Sequence, residues 1–245
     1  MTVFLPVIAS VVGLVLVQHL VPSSLREEHN DVAGFIYAVV GVMYAVLLAF
    51  VVIVVWQDYQ AAKDTVESEA NELAGVYFLA DRLPDPERTH IQGLTRSYAR
   101  IVVEEEWPLM ERGESSARAT AVLRDLRLSL QNIDADTSAG LVLYDQALMR
   151  MHELSDARRL RLLETTEGLP GILWVVLVGG GVITVCFTYL FGLKNNVAHL
   201  LMVAALTLLV CGILFTIGAL DYPFSGISKL QPNAFEEVQG SFDES

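Results

Sequence analysis

Four long apolar runs and one long charged stretch alternate along this sequence. The runs cover residues 3–21, 34–56, 171–193 and 197–220, and none of them contains Lys, Arg, Asp or Glu. Each run is about as long as a helix that crosses roughly 30 Å of hydrocarbon. A single charge at the centre of such a helix costs about 2.5 to 3.5 kcal/mol on insertion scales. The pattern therefore predicts a polytopic membrane protein with four transmembrane helices.

Composition agrees with a membrane protein and limits the chemistry. Apolar residues make up 53% of the sequence, and the net charge of −13 lies almost wholly outside the four runs. The first run lacks the basic segment of a secretory signal, so we expect a retained helix. Cys186 and Cys211 fall inside predicted helices without a Cys or His at ligand spacing. We therefore predict no disulfide, no metal site and no cofactor.

The runs divide the chain into four segments. Residues 1–57 hold predicted transmembrane helices 1 and 2, residues 58–169 form a cytoplasmic helical domain, residues 170–221 hold transmembrane helices 3 and 4, and residues 222–245 form a cytoplasmic tail. Four crossings place both termini on the same side of the membrane as the central stretch. Because 13 of the 16 basic residues lie in that stretch, the positive-inside bias predicts that it and both termini are cytoplasmic.

The central stretch is predicted to be helical throughout. Residues 61–79 continue the second run with apolar positions at helical spacing, and no Gly or Pro occurs between residues 51 and 73. One helix should therefore run from the membrane into the cytoplasm until the Leu-Pro-Asp-Pro sequence at 83–86 ends it. Further helices are predicted from residue 86 to about 112, over 117–132, and after 138. The fold class is all-α, with an antiparallel cytoplasmic helical layer.

The second transmembrane helix carries its polar and small residues on one stripe. Steps of four and three residues place these positions on one face, which we call the tyrosine stripe: Asn30, Gly34, Tyr37, Gly41, Tyr44, Leu48, Val51, Val55 and Asp58. One interpretation is close helix packing, in which neighbours satisfy the tyrosine hydroxyls. The other is that several copies of the stripe surround a water-filled pore, with Leu48, Val51 and Val55 as an apolar gate. The pattern leaves both open.

Charge gives the only guide to ion selectivity. The central stretch has 21 acidic and 13 basic residues, and symmetry would repeat any axial carboxylate once per subunit. Asp58 is the strongest candidate for such a ring, and Glu69 and Glu72 are candidates for a cytoplasmic vestibule. The alternative for all three is a solvated helix face or an intersubunit ion pair with an arginine. For the acidic run at 104–106, this alternative is the favoured interpretation.

The sequence resembles the bacterial bestrophin-like membrane proteins. The matching positions are Asn30, Gly34, 37–42, 44–50, Trp56, Tyr59, 69–70, the segment around Tyr98, 106–108, 158–162, 169–170, 173–174 and 220–226. The resemblance covers nearly the whole chain. It implies a helical homo-oligomer in a bacterial inner membrane, with five copies as is usual in bestrophins. It also implies a central pore lined by the second helix and a cytoplasmic vestibule. Pro and Gly residues predict irregular backbone after residue 222, and the tail can bury its apolar residues on its own cytoplasmic layer or on a neighbour's; the resemblance favours the adjacent subunit.

These observations predict an oligomeric ion channel with a cation preference, whose partners are lipid, inorganic ions and its own copies. Two alternatives stay open: an anion channel, since bestrophins are better known for passing anions, and a non-conducting scaffold or sensor that binds a partner through its cytoplasmic helices. The five histidines are scattered, and no phosphate-binding loop or nucleophile motif occurs. We therefore predict neither an enzyme nor a nucleic-acid-binding protein.

Overall fold

A computed structural model describes residues 4–27, 29–134 and 136–243. Within these ranges the chain is helical and contains no strand, which confirms the predicted all-α class. The α-helices are α1 (Phe4–Leu20), α2 (Ser23–Glu27), α3 (Asn30–Leu79), α4 (Glu87–Ile101), α5 (Trp107–Met110), α6 (Ala117–Gln131), α7 (Ser138–Glu164), α8 (Gly171–Phe187), α9 (Asn196–Leu220) and α10 (Asn233–Asp243).

The helices form two compact units. The apolar unit comprises Met1–Gln57 and Leu169–Asp221, and the charged unit comprises Asp58–Gly168 and Tyr222–Ser245. The apolar unit has two buried apolar clusters, one that includes Tyr44 and Leu177 and one that includes Leu14, and the charged unit has one that includes Leu73 and Tyr98. Each unit therefore has a core of its own.

Three helical segments in the described part of the chain are long and apolar enough to cross a membrane. They are Asn30–Arg82, Gly171–Leu190 and Asn196–Leu220. The first predicted crossing corresponds to α1, an apolar helix of 17 described residues that falls short of the length required of the other three. The structure thus accounts for three of the four predicted crossings by length and composition, and the count of four is not confirmed.

Helix α3 is a single helix of 50 residues. It continues past the second apolar run because no Gly or Pro interrupts residues 51–73, which confirms the predicted extension. A 3₁₀ turn at Ala80–Arg82 follows, and Pro84 then prevents further helix.

The charged unit differs from the prediction at one helix. We expected a helix from residue 86 to about 112, but α4 ends at Ile101 and is followed by a π-helical turn at Val102–Glu106 before α5. Helices α6 and α7 begin at the predicted positions because Ser116 and Thr137 cap them: the Ser116 side chain accepts from Ala119 N, and the Thr137 side chain accepts from Gly140 N.

The C-terminal segment packs on its own chain. We predicted irregular backbone after residue 222, but residues 233–243 form α10. Of the two predicted locations for the tail, the described residues show packing on its own layer, since four apolar side chains enter the core of the charged unit: Phe224, Leu230, Phe235 and Phe242. The indole Nε1 of Trp107 donates to the main-chain oxygen of Leu230 at 3.1 Å. The apolar residues of the tail thus find their partners within the same unit.

Candidate functional site

The first part of the tyrosine stripe contacts the connection between α8 and α9. Asn30 makes two hydrogen bonds with Gly192: its Nδ2 donates to the carbonyl at 2.8 Å, and its Oδ1 accepts from the main-chain nitrogen at 3.0 Å. The ring of Tyr37 stacks on Phe187 with 5.7 Å between centroids and meets Phe191 edge-on at 5.7 Å. These positions are engaged within the chain.

Tyr44 packs into a notch made by the glycines of α8. Its hydroxyl donates to the main-chain oxygen of Leu177 at 2.9 Å. A Cβ atom at Gly180 would lie 2.7 Å from the Tyr44 ring, and one at Gly181 would lie 2.9 Å from its hydroxyl. Only glycine leaves room for this ring, which gives a physical reason for the glycines at 180 and 181.

The deepest part of the stripe is buried by helices of the same chain. Leu48, Val51 and Val55 are between 1% and 6% exposed and form one cluster with Leu177, Val210 and Ile217 of α8 and α9. Gly34 and Gly41 are half-buried, and Asp58 is exposed. The side chains that we predicted to line a pore are thus engaged mainly by intrachain packing, as the packing interpretation expects.

The opposite side of α3 is exposed and apolar. We call it the open face, and its residues are Phe35, Val39, Val42, Val46, Phe50 and Ile53, with exposed fractions from 48% to 76%. They recur at steps of three and four along the helix. Helix α3 therefore presents one face to its own chain and leaves an apolar face for another chain, for lipid or for a pore.

The two predicted vestibule carboxylates are engaged by arginines. Glu69 is fully buried, and its carboxylate accepts from Arg161 at 2.5 and 3.0 Å and from the Tyr98 hydroxyl at 2.6 Å. Glu72 is partly buried and accepts from Arg150 at 2.9 Å. In the charged unit itself, neither carboxylate lies on an open surface.

Glu106 completes a buried ionic network. It accepts from Arg158 at 2.6 Å, from Arg161 at 2.8 Å and from Ser116 N at 3.0 Å. We expected a solvated face or an intersubunit ion pair at 104–106, but the π-helical turn brings Glu106 to a fully buried position beside two arginines of its own chain. Burial raises the pKa of the Glu106 carboxyl, and the charges and hydrogen bonds of Arg161 and Arg158 outweigh this effect and lower it overall.

The network also reaches the C-terminal helix within the charged unit. The guanidinium of Arg161 lies 5.7 Å from the ring centroids of Trp107 and Phe235. Burial and the neighbouring Glu69 charge raise the pKa of the Tyr98 hydroxyl well above its usual value, so this group stays a neutral donor. The network therefore joins residues from α3, α4, α7 and the tail.

The sequence held a signal for the network that the prediction missed. On α7, the buried positions Met151 and Leu154 are followed along the same face by Arg158 and Arg161, at steps of four and three residues. On α3, Glu69 interrupts a similar row of buried apolar residues. A charge on the apolar face of a helix indicates burial with a partner. The identity of each partner depended on how the helices pack.

Asp221 joins the beginning of α8 to the end of α9 in the apolar unit. Its carboxylate accepts from Leu169 N at 2.7 Å and from the Trp174 indole at 3.1 Å. These residues belong to three of the segments on which the resemblance was noted. Their contact satisfies a buried carboxylate at a helix end without any basic residue.

The described residues contain no group of three or more His, Cys, Asp or Glu that could hold a metal ion. The apolar unit contains instead part of a long helix with one packed face and one open face, and the charged unit has an ionic core of its own. This is the arrangement of a helical membrane protein. A family model, the bestrophin-like domain, matches residues 4–235, and the chain belongs to the bestrophin-like family.

Solved structures show the same fold. A mutated bacterial bestrophin homologue from Klebsiella pneumoniae matches with a TM-score of 0.76 and 11% identity, covering 100% of this chain and 98% of that one. Another structure of the Klebsiella homologue matches with a TM-score of 0.74 and 12% identity over 98% and 97% of the two chains. Comparison with functionally curated proteins finds no match.

Proposed function

We propose that this chain is a subunit of an oligomeric ion channel in which copies of α3 surround a central pore. The bestrophin-like fold is that of an ion channel family, which supports the class. The observation that carries the proposal is the sidedness of α3, because its tyrosine stripe is packed on α8 and α9 while a row of large apolar side chains is left exposed. Assembly around an axis would bring the copies of that row together at the centre.

The proposed subunit has four crossings, in five copies, with both termini in the cytoplasm of a bacterial inner membrane. Helix α1 spans about 26 Å at 1.5 Å per residue, close to the thickness of a bilayer core. Its Leu14 packs in a cluster with Val185 and Val203 of the longer apolar helices. Basic residues concentrate in 57–170, which supports the orientation.

We assign the pore to the open face rather than to the tyrosine stripe. Val55 is 1% exposed and Leu48 is 5% exposed within one chain, so neither side chain can reach an axis between chains without loss of its own packing. Val46 and Ile53 lie on the open face and would form an apolar neck when repeated around an axis. The pore helix is the one predicted, but the lining face is the opposite one.

The proposed selectivity is for cations. Acidic residues outnumber basic ones by 21 to 13 in the stretch after the second apolar run. Asp64 is exposed on α3 and follows Val46 by 18 residues, which is five helical turns, whereas the exposed Asp58 belongs to the tyrosine stripe on the other side of the helix. A carboxylate near the axis would form a ring of negative charge and disfavour anions. The alternative is anion conduction, as in bestrophins.

Paired serine substitutions test the pore face. Val46→Ser and Ile53→Ser should raise ion flux through reconstituted protein, because a polar side chain wets an apolar neck. Leu48→Ser and Val51→Ser are the matched controls, and they should lower thermal stability without raising flux. The opposite result, with raised flux only in the controls, would return the pore to the tyrosine stripe.

Selectivity is tested by the reversal potential in planar bilayers under a KCl gradient. A cation-selective potential that shifts toward the anion value in Asp64→Asn would support the proposal, whereas a shift only in Asp58→Asn would return the selectivity site to the tyrosine stripe. Asp145→Asn, an exposed change on α7, is the control and should leave the potential unchanged. An anion-selective potential would overturn the charge argument, and a silent bilayer under varied pH, voltage and calcium would favour the scaffold.

A further inference from the structure

The apolar unit contains a cavity of about 820 Å³ beside the first turns of α3 and α9. Its lining combines charged residues at one end, Glu27, Asp31 and Lys194, with apolar and aromatic residues such as Tyr37, Met202 and Leu206. All of these residues belong to one unit. The cavity therefore offers opposite charges and an apolar surface to one ligand.

Hydrogen bonds hold the wall of this cavity in place. The Asn30 side chain is bonded to both main-chain groups of Gly192, and Arg26 Nη1 donates to the carbonyl of Phe191 at 3.3 Å. His199 Nε2 bonds to the Thr188 oxygen at 3.0 Å. These contacts fix the connection between α8 and α9 against the start of α3, so the cavity is a built feature of the fold.

Polarity changes along the axis of the two long apolar helices. Asp31 lies in the first turn of α3, whereas Tyr37 lies six residues and about 9 Å further along it. Lys194 precedes α9, whereas Leu206 lies ten residues and about 15 Å inside it. A ligand that follows this surface needs a charged end at the helix starts and an apolar chain that runs along the helices.

The charged end of the cavity has two carboxylates and one ammonium. Among the residues that the structure describes, Glu27, Asp31 and Lys194 make no ion pair. Two carboxylates suit a primary ammonium group, which can donate to both of them. A lysine suits a phosphate. The combination matches a zwitterion that carries both groups.

We infer that this cavity binds a phospholipid whose headgroup carries a primary amine, such as phosphatidylethanolamine. Its ammonium would contact Glu27 and Asp31, its phosphate would contact Lys194, and one acyl chain would follow Tyr37 and Leu206. Phosphatidylcholine fits less well because its quaternary ammonium has no N–H to donate. Phosphatidylglycerol fits less well because it brings only negative charge to the two carboxylates. This site is separate from the open face of α3.

The test is native mass spectrometry of the purified full-length protein with each of the three lipids added in turn. We expect phosphatidylethanolamine to bind best, and the double variant Glu27→Gln/Asp31→Asn to lose about tenfold or more of that affinity. The control is Glu236→Gln/Glu237→Gln, two exposed changes on α10 that should leave lipid binding unchanged. Lys194→Gln should weaken phosphatidylethanolamine and phosphatidylcholine equally.

Two results would overturn the inference. One is equal binding of the three lipids that the double variant leaves unchanged. The other is a change of oligomer mass in the double variant with unchanged lipid binding, since this would identify the occupant of the cavity as a second copy of the chain. If the double variant does not fold, Leu206→Trp tests the same cavity at its apolar end. The larger side chain should fill the path of the acyl chain and reduce the binding of all three lipids.

Discussion

The apolar and charged units satisfy their buried polar side chains in different ways. In the apolar unit the partners are mainly main-chain groups: Tyr44 donates to the Leu177 carbonyl, Thr207 to the Val203 carbonyl, and Asp221 accepts from a main-chain nitrogen. In the charged unit the fully buried Glu69 and Glu106 are paired with arginines. Two helical regions of one chain thus use neutral and ionic partners for the same purpose.

The difference concerns what fixes the position of each helix. A hydroxyl bonded to a main-chain carbonyl leaves the surrounding contact surface apolar, so fit is decided by shape, as where Tyr44 meets Gly180. A buried carboxylate and guanidinium must meet in one geometry, because each ion without its partner is very costly in a low-dielectric interior. The charged unit should therefore be the more sensitive to loss of one side chain.

The largest effect should follow from Arg161→Met, which leaves the Glu69 charge unpaired and Glu106 with only Arg158. We expect a loss of about 3 to 5 kcal/mol in the free energy of unfolding. Thermal unfolding in detergent, followed by tryptophan fluorescence, measures it. Arg159→Met is the matched control, because Arg159 forms only an exposed pair with Asp156 and should cost less than about 1 kcal/mol. Similar melting temperatures for the two variants would contradict the buried network.

A smaller effect should follow from Gly180→Ala on α8. The added Cβ would lie 2.7 Å from the Tyr44 ring, and such overpacking costs about 1 to 3 kcal/mol. The control is the adjacent Gly179→Ala, where a Cβ meets no atom within 4 Å among those described. Thermal unfolding of the two variants should separate them. A stable Gly180→Ala protein would show that α8 can move away from Tyr44 at little cost.

Loss of one neutral hydrogen bond should have a smaller effect again. Tyr44→Phe removes the bond to the Leu177 carbonyl, and such bonds between membrane helices are worth about 0.6 kcal/mol on average. Tyr37→Phe is the control, because the described residues give the Tyr37 hydroxyl no hydrogen-bond partner. A loss above about 2 kcal/mol for Tyr44→Phe would mean that the apolar unit depends on polar contacts as strongly as the charged unit does.

The smallest effect concerns pH and Glu164. Its Oε1 accepts from Thr65 at 3.1 Å, while its Oε2 is buried without a partner among the described residues. Burial raises the pKa of this carboxyl, and nearby Glu167 and Asp58 add to the shift, although Thr65 and Arg161 oppose it. A carboxyl whose pKa is higher in the folded state than in the unfolded state stabilises the fold while it is protonated. This contribution is fully present below the unfolded-state pKa, about 4.3, and is lost as the pH rises through the folded-state pKa.

Between about pH 4.3 and the raised folded-state pKa, the Glu164→Gln variant should therefore lose less stability with rising pH than the unmodified protein does. Above that window the variant should be the more stable of the two proteins. Melting temperatures measured over this range check the slope. Glu167→Gln, an exposed neighbour, is the control and should change the slope less. An unchanged slope in Glu164→Gln would show that another group titrates.

Much of the fold could be predicted from local sequence patterns. The long α3 followed from the absence of Gly and Pro in 51–73, and the starts of α6 and α7 followed from Ser116 and Thr137 as caps. The π-helical turn at Val102–Glu106 was missed because no Pro or Gly marks it. This turn brings Glu106 to Arg158 and Arg161, which lie 52 and 55 residues further along the chain.

By itself, the sequence determined most of the helices, the apolar runs and the sidedness of α3, because these depend on residues within a few turns of one another. Only the tertiary structure decided that Tyr44 and Val55 face α8 and α9, that Glu69 and Glu106 share Arg161, and that the tail packs on its own unit. Periodicity shows that a face is different from the others. It does not name the neighbour, because lipid, another helix and a second copy of the chain all present apolar surfaces.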